Sequence, residues 1–364
     1  MSDLRESGCL AGDTPVYLPD TGSYMPIKDL VGRSDFRVLA LDKGWWRLDA
    51  RKVTSVFATG TKPVFKLTTK LGRSVRATAN HRFLTTAGWR RLDELETNDH
   101  IALPRILQGP DQDTMSRAEL GLLGHLIGDG CTLPNHAIQY TTKDPTLAEE
   151  VVSLAKEAFS DAIRPRIHHE RTWIQVYLPA TQHLTHGVSN PIRVWLDGLG
   201  IFGLRSFEKR VPQKVFMQSA LGIACFLRHL WSTDGCIHNS HGVGHYANVY
   251  YASSSAQLAQ DVQSLLLRVG INARISVRSQ GTKGRDQYHV TVSGRYDIQA
   301  FLEFVGAIGD SKTRHKAAIL EYLGARPLQM KSIPATTMST VTTSDEGSDK
   351  FELLGTSDVY WDMI

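Results

Sequence analysis

Between residues 9 and 105 the chain alternates apolar and polar positions in short runs. These are Thr14–Leu18, Phe36–Leu41, Lys52–Phe57, Val64–Thr69 and Ser74–Thr78, rich in Val, Thr and aromatic side chains. D-T-G, D-K-G, T-G-T and L-G-R turns separate them. The pattern predicts a compact all-β unit with helical turns at Ile27–Leu30 and Arg91–Leu95. At Met115 the period lengthens. Ser116 and Glu119 form an S-x-x-E capping box ahead of E-L-G-L-L-G-H-L-I-G-D-G, a run apolar on nearly every side. Further on, A-L-G-I-A-C-F-L-R-H-L-W-S-T-D-G repeats the plan. Both predicted helices run into Asp-Gly-Cys: Asp129-Gly130-Cys131 and Asp234-Gly235-Cys236.

The repeat continues past the helices. At a constant offset of 111 residues Tyr140 matches Tyr251, Leu147 Leu258, Ala148 Ala259, Val151 Val262 and Leu154 Leu265. A basic strand follows in each half, Arg164–Ile167 and Ala273–Val277. One α/β unit is therefore duplicated. Residues 332–357 are rich in Ser and Thr and nearly free of large apolar side chains, which predicts a tether. Strand character returns over residues 358–364.

Composition adds three constraints. The chain has 364 residues, 41% hydrophobic and 21% charged, which suits two or three globular domains. Those values exclude a mostly disordered chain, a collagen and a small disulfide scaffold. No run approaches the ~20 apolar residues that span a bilayer, and the N-terminus has no hydrophobic signal core, so a soluble cytoplasmic product is expected. Charge is unevenly placed. Residues 115–331 hold 23 Lys and Arg against 17 Asp and Glu and 12 of the 14 histidines, whereas the remainder holds 18 against 20. A basic, His-rich middle segment points to a polyanion-binding module. A merely solvated basic surface is the alternative on charge alone. Of the four cysteines, Cys131, Cys225 and Cys236 read as buried thiols, since no pair has metal or redox spacing.

Cys9 differs because it directly follows Gly8. A thiol in that position can attack the preceding carbonyl through a five-membered transition state and convert the amide to a thioester. Downstream, T-A-N-H-R-F-L supplies Thr78, Asn80 and His81. An amide nitrogen leaves only when protonated, which makes His81 the expected acid. Thr78 and Asn80 are expected to orient the peptide or stabilise the oxyanion, Thr78 alternatively being only a strand residue. The opening C-L-A-G-D-T, the T-x-x-H block, G-W-R-R-L-D-E-L and H-I-A-L-P-R together resemble the N-terminal splicing region of an intein. S-D-V-Y-W-D-M-I resembles the beginning of the C-terminal splicing part of helicase inteins. The leader R-E-S-G resembles the flank of an intein inserted in a replicative DNA helicase of the DnaB kind. Inteins end with a strand carrying an Asp, then His-Asn before the downstream extein. The chain stops at Ile364, so the resemblance implies thioester formation but no splicing without a complementary C-terminal fragment.

L-L-G-H-L-I-G-D-G at 122–130 and F-L-R-H-L-W-S-T-D-G at 226–235 resemble the LAGLIDADG homing endonuclease motif. The second departs from it, with Arg228 and Ser232 where the first has Gly124 and Gly128, and one extra residue between His and Asp. Parallel packing of the two helices brings Asp129 and Asp234 together at their C-terminal ends, where like charges and helix dipoles disfavour carboxylates. Such a pair is tolerable when hard divalent cations, Mg2+ or Mn2+, lie between it and DNA phosphates. Lys209 opens K-R-V-P-Q-K-V-F, resembling the family's K-x-I-P block, and Lys312 closes G-A-I-G-D-S-K. Each is expected to polarise a water or stabilise the transition state; Lys312 alternatively contacts phosphate or is a solvated lysine. The resemblance implies DNA recognition by the strands Trp173–Leu178 and Gln287–Val292, with Gln175, Tyr177 and His289 and with Arg164, Arg166, Arg274 and Arg278 as candidate contacts, any one arginine alternatively being solvated.

The resemblance thus implies a mixed fold: an all-β Hint-type splicing domain with an inserted α/β LAGLIDADG endonuclease of two pseudo-symmetric repeats. Its expected layout is a leader at 1–8, a splicing domain at 9–107 and an endonuclease at 115–331. The endonuclease repeats cover about 115–205 and 206–325. A linker at 332–357 and a C-terminal splicing segment at 358–364 follow. Expected partners are double-stranded DNA at the intein-less host-gene site, the complementary C-terminal fragment and the helicase extein; no membrane is expected. The rival reading keeps the splicing element and makes the nuclease a DNA-binding or structural insert.

Overall fold

The computed structural model describes residues 8–42, 44–184, 187–240, 247–324 and 357–364. Residues 1–7 of the leader and 332–356 of the expected tether lie outside the described residues. The chain divides into two compact units, residues 1–109 with 327–364, and residues 110–326.

The first unit is built from antiparallel hairpins. β1 (Pro15–Leu18) pairs with β2 (Ser23–Pro26), β3 (Arg37–Asp42) with β4 (Arg47–Lys52), and β5 (Phe65–Thr68) with β6 (Ser74–Ala77). A four-stranded sheet joins β7 (Arg82–Thr85), β8 (Gly88–Arg91), β9 (His100–Pro104) and the strand Val359–Met363, which pairs with β9. The expected helical turns are 3-10 turns at Ile27–Leu30 and Leu92–Glu94. The expected strand Lys52–Phe57 is displaced. The ladder with β3 ends at Lys52, and Val53 and Val56 leave it to pack on the core of Leu18, Leu30 and Phe36. Apolar burial there outweighs further pairing.

The second unit holds two copies of one plan. α1 (Arg117–Asp129) starts at the Ser116 capping box and leads into β10 (Gly130–Cys131), β11 (Gln139–Thr142), α2 (Pro145–Phe159), β12 (Arg166–His169) and β13 (Ile174–Tyr177). α3 (Pro191–Gly198) and α4 (Gln213–Phe216) connect the copies. α5 (Ala220–Ser232), β14 (Gly235–Asn239), β15 (Ala247–Ser253), α6 (Ala256–Arg268), β16 (Ala273–Arg278) and β17 (Gln287–Val292) repeat it. α7 (Arg295–Ala300) and α8 (Asp310–Gly324) follow. The sheets have matching orders, β10-β11-β13-β12 and β14-β15-β17-β16. All ten residues paired by the 111-residue offset are buried, so the sequence repeat is a repeat of core positions. Among the described residues no helix is long and apolar enough to cross a membrane.

α1 and α5 meet backbone to backbone. A Cβ on Gly124 would lie 2.8 Å from both the Leu230 nitrogen and the Phe226 carbonyl oxygen, and one on Gly128 would strike the Thr233 side chain. The extra residue of the second motif is absorbed at Thr233, whose φ −83° and ψ −101° end α5 before Asp234. Asp129, by contrast, is the last residue of α1. Gly124→Val should lower the unfolding free energy of this unit by about 1–3 kcal/mol or more, because backbone atoms cannot move aside. Gly198→Ala, where a Cβ meets nothing within 4 Å, should stay within about 0.5 kcal/mol in the same urea titration.

Candidate active sites

In the first unit the chain from Cys9 to Ala11 runs antiparallel along β6. Leu10 bridges Ala77, and the Ala11 N–H donates to the Arg76 carbonyl. This addition to the hairpin delivers Cys9 to Thr78. The Cys9 N–H donates to Thr78 Oγ1 at 2.8 Å, and the Thr78 N–H donates to the Cys9 carbonyl at 2.9 Å. Thr78 Oγ1 in turn donates to Asn80 Oδ1 at 2.8 Å. The two side chains expected to orient the peptide therefore form one relay ending on the Gly8–Cys9 amide.

His81 closes the other side. Its imidazole makes a hydrogen bond to the Gly8 backbone, and a Cβ on Gly8 would lie 2.1 Å from the His81 Cα, so the glycine is what permits this approach. Burial pushes the His81 imidazole below its usual value, while the Gly8 contact opposes that shift. His81 Nδ1 is buried without a hydrogen-bond partner. A largely neutral imidazole with an open nitrogen beside a peptide bond is suited to shuttling a proton.

In the second unit Asp129 and Asp234 stand at the ends of the paired helices. Burial, then the charge of Asp234, raises Asp129 to about 6 against the opposing Lys209 and Lys312. Surrounding protein also raises Asp234 by desolvation, although that residue keeps an exposed edge and Asp129 is half-buried. Lys209 Nζ donates to the carbonyls of Gly128 (2.8 Å) and Gly130 (3.2 Å), closing the end of α1. Lys312 Nζ does the same for α5, donating to Trp231 (2.8 Å), Ser232 (2.7 Å) and Thr233 (3.1 Å). Burial lowers both lysines, Lys312 to about 8. The three donors of the Lys312 ammonium are thus engaged by carbonyls, so its action on the carboxylates is through space, unlike the expected direct contact with a water.

The departures of the second motif also have places. Arg228 Nε donates to the Val305 carbonyl at 2.7 Å, and Ser232 Oγ accepts the Ile308 N–H at 2.8 Å. They anchor the turn that precedes α8 and Lys312. One turn back from the carboxylates, His125 and His229 share a hydrogen bond (Nε2 to Nδ1, 3.1 Å), and His125 Nδ1 lies 3.2 Å from the Tyr140 hydroxyl.

Register sorts the DNA-contact candidates. Val176 and Tyr140 are buried on the core face of the first sheet, level with Ile167 on its exposed edge strand, so Gln139, Thr141, Arg166, His168, Gln175 and Tyr177 lie on the other face. In the second sheet Val290, Tyr251 and Ile275 face the core, leaving Tyr250, Arg274, Arg278, Gln287, His289 and Thr291 on the other face. Arg166 opposite Tyr177 therefore corresponds to Arg274 opposite Thr291. Arg164 lies before β12, outside the expected strand position, with its N–H on the Pro179 carbonyl. Gln175 departs from its expected role. It is buried, donating to the Tyr140 carbonyl and accepting from the Thr141 hydroxyl, and braces the sheet. Tyr250 was not singled out from the sequence, yet its ring stacks on His289 at 4.9 Å and 7°. The alternation V-Y-Y-A carries the signal, because burying Val249 and Tyr251 turns Tyr250 outward. The four cysteines form no disulfide and are half-buried; Cys131 and Cys236 lie on the outer faces rather than in the core.

The model of the LAGLIDADG-like domain family matches residues 222–306. The chain is 55% identical over 326 residues to the replicative DNA helicase DnaB of Rhodothermus marinus, covering 90% of this chain. It spans 34–37% of the length of the helicase relatives it matches. It is 50% identical to a solved DnaB intein from Synechocystis sp. over 27% of this chain and 70% of that one, with a TM-score of 0.27. I-DmoI, solved in complex with DNA and Mn, is 13% identical over 52% of this chain and 96% of that one, with a TM-score of 0.37. The chain belongs to the DnaB-type inteins that carry a LAGLIDADG-like domain.

Two outcomes follow from the geometry. Thr78→Val should remove the acceptor of the Cys9 N–H and destabilise the first unit by about 1–3 kcal/mol in urea unfolding. The histidine pair sets a pH dependence. Burial holds His125 well below the usual 6.5 and His229 at about 4. The unfolded chain therefore takes up protons first. The stability contributed by the neutral imidazoles is full above about pH 6.5 and is lost as the pH falls towards 4, by up to about 3 kcal/mol for His229. His229→Asn should flatten that part of the stability–pH curve.

Proposed function

We propose that this chain activates its own Gly8–Cys9 peptide bond by an N-to-S acyl shift. On this reading the first unit is a Hint-type splicing domain, and the second is an inserted endonuclease that cuts double-stranded DNA. The observation that carries the reading is the clamp on one peptide bond: Thr78 on the Cys9 amide and His81 on Gly8. In the shift Cys9 Sγ bonds to the Gly8 carbonyl carbon, and the carbon–nitrogen bond to Cys9 breaks. His81 supplies the proton that lets the nitrogen leave. Thr78, braced by Asn80, holds the amide while this happens. The C-terminal splicing steps would then join the helicase exteins.

For the second unit, Asp129 and Asp234 fit a divalent cation. Both are acids that burial drives towards protonation, and their donor atoms are the hard oxygens that Mg2+ or Mn2+ prefers. Among the described residues no group of three His, Cys, Asp or Glu could form a protein-only cage, so DNA phosphate oxygens and water would complete the coordination. The cation, when bound, neutralises charge at the scissile phosphate. Lys209 and Lys312 hold the helix ends that aim the two carboxylates. Arg166, Tyr177, Arg274, Arg278 and His289 provide the DNA face, at the intein-less site of the host gene. The matched Asp–Lys sets favour a cutting enzyme over a binding insert.

Hydroxylamine should release residues 1–8 from the chain, and Cys9→Ala should abolish release. Equal release from Cys9→Ala would overturn the splicing reading. On host DNA spanning the insertion site, gel shifts should show binding in calcium, weakening steeply with salt. Double-strand cutting should require magnesium or manganese. Asp234→Asn should bind but not cut; a wild type that binds without cutting would leave the insert reading in place.

A further inference from the structure

The Cys9 sulfur is met by a segment that no splicing motif of the sequence includes. After β4 the chain forms no strand until β5. Within that stretch the Thr59 hydroxyl donates to Cys9 Sγ at 3.2 Å, and the Lys62 ammonium donates to the same sulfur at 3.6 Å. Backbone restrictions bring both there. Gly60, between them, has φ 84° and open space around its Cα, a left-handed turn that glycine adopts readily. Pro63 restricts Lys62 to extended conformations. Thr59 is half-buried and Lys62 exposed, so the ammonium acts from the solvent edge of the site.

A hydroxyl and a cation held on one sulfur are placed to stabilise the negative charge it carries when it attacks a carbonyl. Thr78, Asn80 and His81 serve a different end of the reaction, the amide and Gly8. We propose that Thr59 and Lys62 are catalytic groups of the acyl shift, holding Sγ and neutralising the charge it gains as its proton leaves. This rests on the splicing reading above. The Sγ–H bond breaks, and its proton passes to water. Sγ then bonds to the Gly8 carbonyl carbon and the bond to the Cys9 nitrogen breaks. That nitrogen takes a proton from His81, whose imidazole, neutral at rest, has first taken one up from water. One proton is released and one taken up, and no oxidant or reductant is required.

The test uses the full chain with its leader. Hydroxylamine-driven release is timed from about pH 6 to about pH 9.5 for wild type, Lys62→Met, Lys62→Arg and Thr59→Val. In parallel, iodoacetamide alkylation of Cys9 is followed by peptide mass mapping, with Cys225 as internal reference. Lys62→Met should slow release about five- to tenfold near pH 7 and converge on wild type near pH 9.5, where a thiol ionises unaided. Lys62→Arg should keep most of the rate, and Thr59→Val should lose about two- to threefold. Alkylation of Cys9 should slow in step while that of Cys225 does not. A rate ratio constant across pH, or wild-type alkylation of Cys9 in Lys62→Met, would overturn the proposal. Absence of release from wild type would instead remove the splicing reading, with the alkylation rates still reporting on Lys62 and Thr59.

Discussion

Backbone contact between α1 and α5 is the constraint on which the second unit depends. Gly124 and Gly128 leave no side chain between the helices at those points, so each helix end meets the other's neighbourhood directly. Two consequences are costly by themselves: partly desolvated carboxylates at helix C-termini, and two imidazoles held neutral inside the interface. Both are made tolerable locally. Lys209 and Lys312 tie off the exposed carbonyls and bring positive charge to the carboxylates. His125 and His229 satisfy each other, with Tyr140 beyond them. A structure that maintains raised carboxylates at such expense is organised around them.

The duplication explains how the two halves can agree in plan and differ in detail. The buried positions coincide because they pack one helix on one sheet in each copy. The exceptions concentrate where the second helix ends. Thr233 adds a residue and breaks the helix, while Arg228 and Ser232 reach across to the turn before α8. That turn sets the position of Lys312. The second motif therefore reaches the same arrangement of Asp and Lys by a different local route, and its departures are supports for that arrangement.

In the first unit a β ladder does the positioning. Pairing of residues 9–11 with β6 sets Cys9 against Thr78 with both main-chain groups held. The missing side chain of Gly8 then admits His81. A peptide bond at the end of a ladder is fixed in orientation without being buried in it, which suits the reaction proposed for it.

Much of this was legible in the sequence. Cys9 after Gly8, the T-x-x-H block, the capping box and the 111-residue repeat are local or periodic signals, and local chemistry fixes their meaning. Periodicity also located the core, because burial selects side chains at every turn or every second residue. Contacts between distant segments were not legible. Strand β4 lies five residues before its expected start because Val53 and Val56 pack inward, a choice made by Leu18, Leu30 and Phe36 elsewhere in the chain. Gln175 braces its sheet because Tyr140 and Thr141 lie beside it. Thr59 and Lys62 reach Cys9 across about fifty residues through a glycine turn that resembles any other turn in the sequence. The sequence by itself determined which residues can do chemistry and which faces are apolar. The tertiary structure decided which of those groups meet, because hydrogen-bond partners and buried charges are settled by packing between segments rather than by order along the chain.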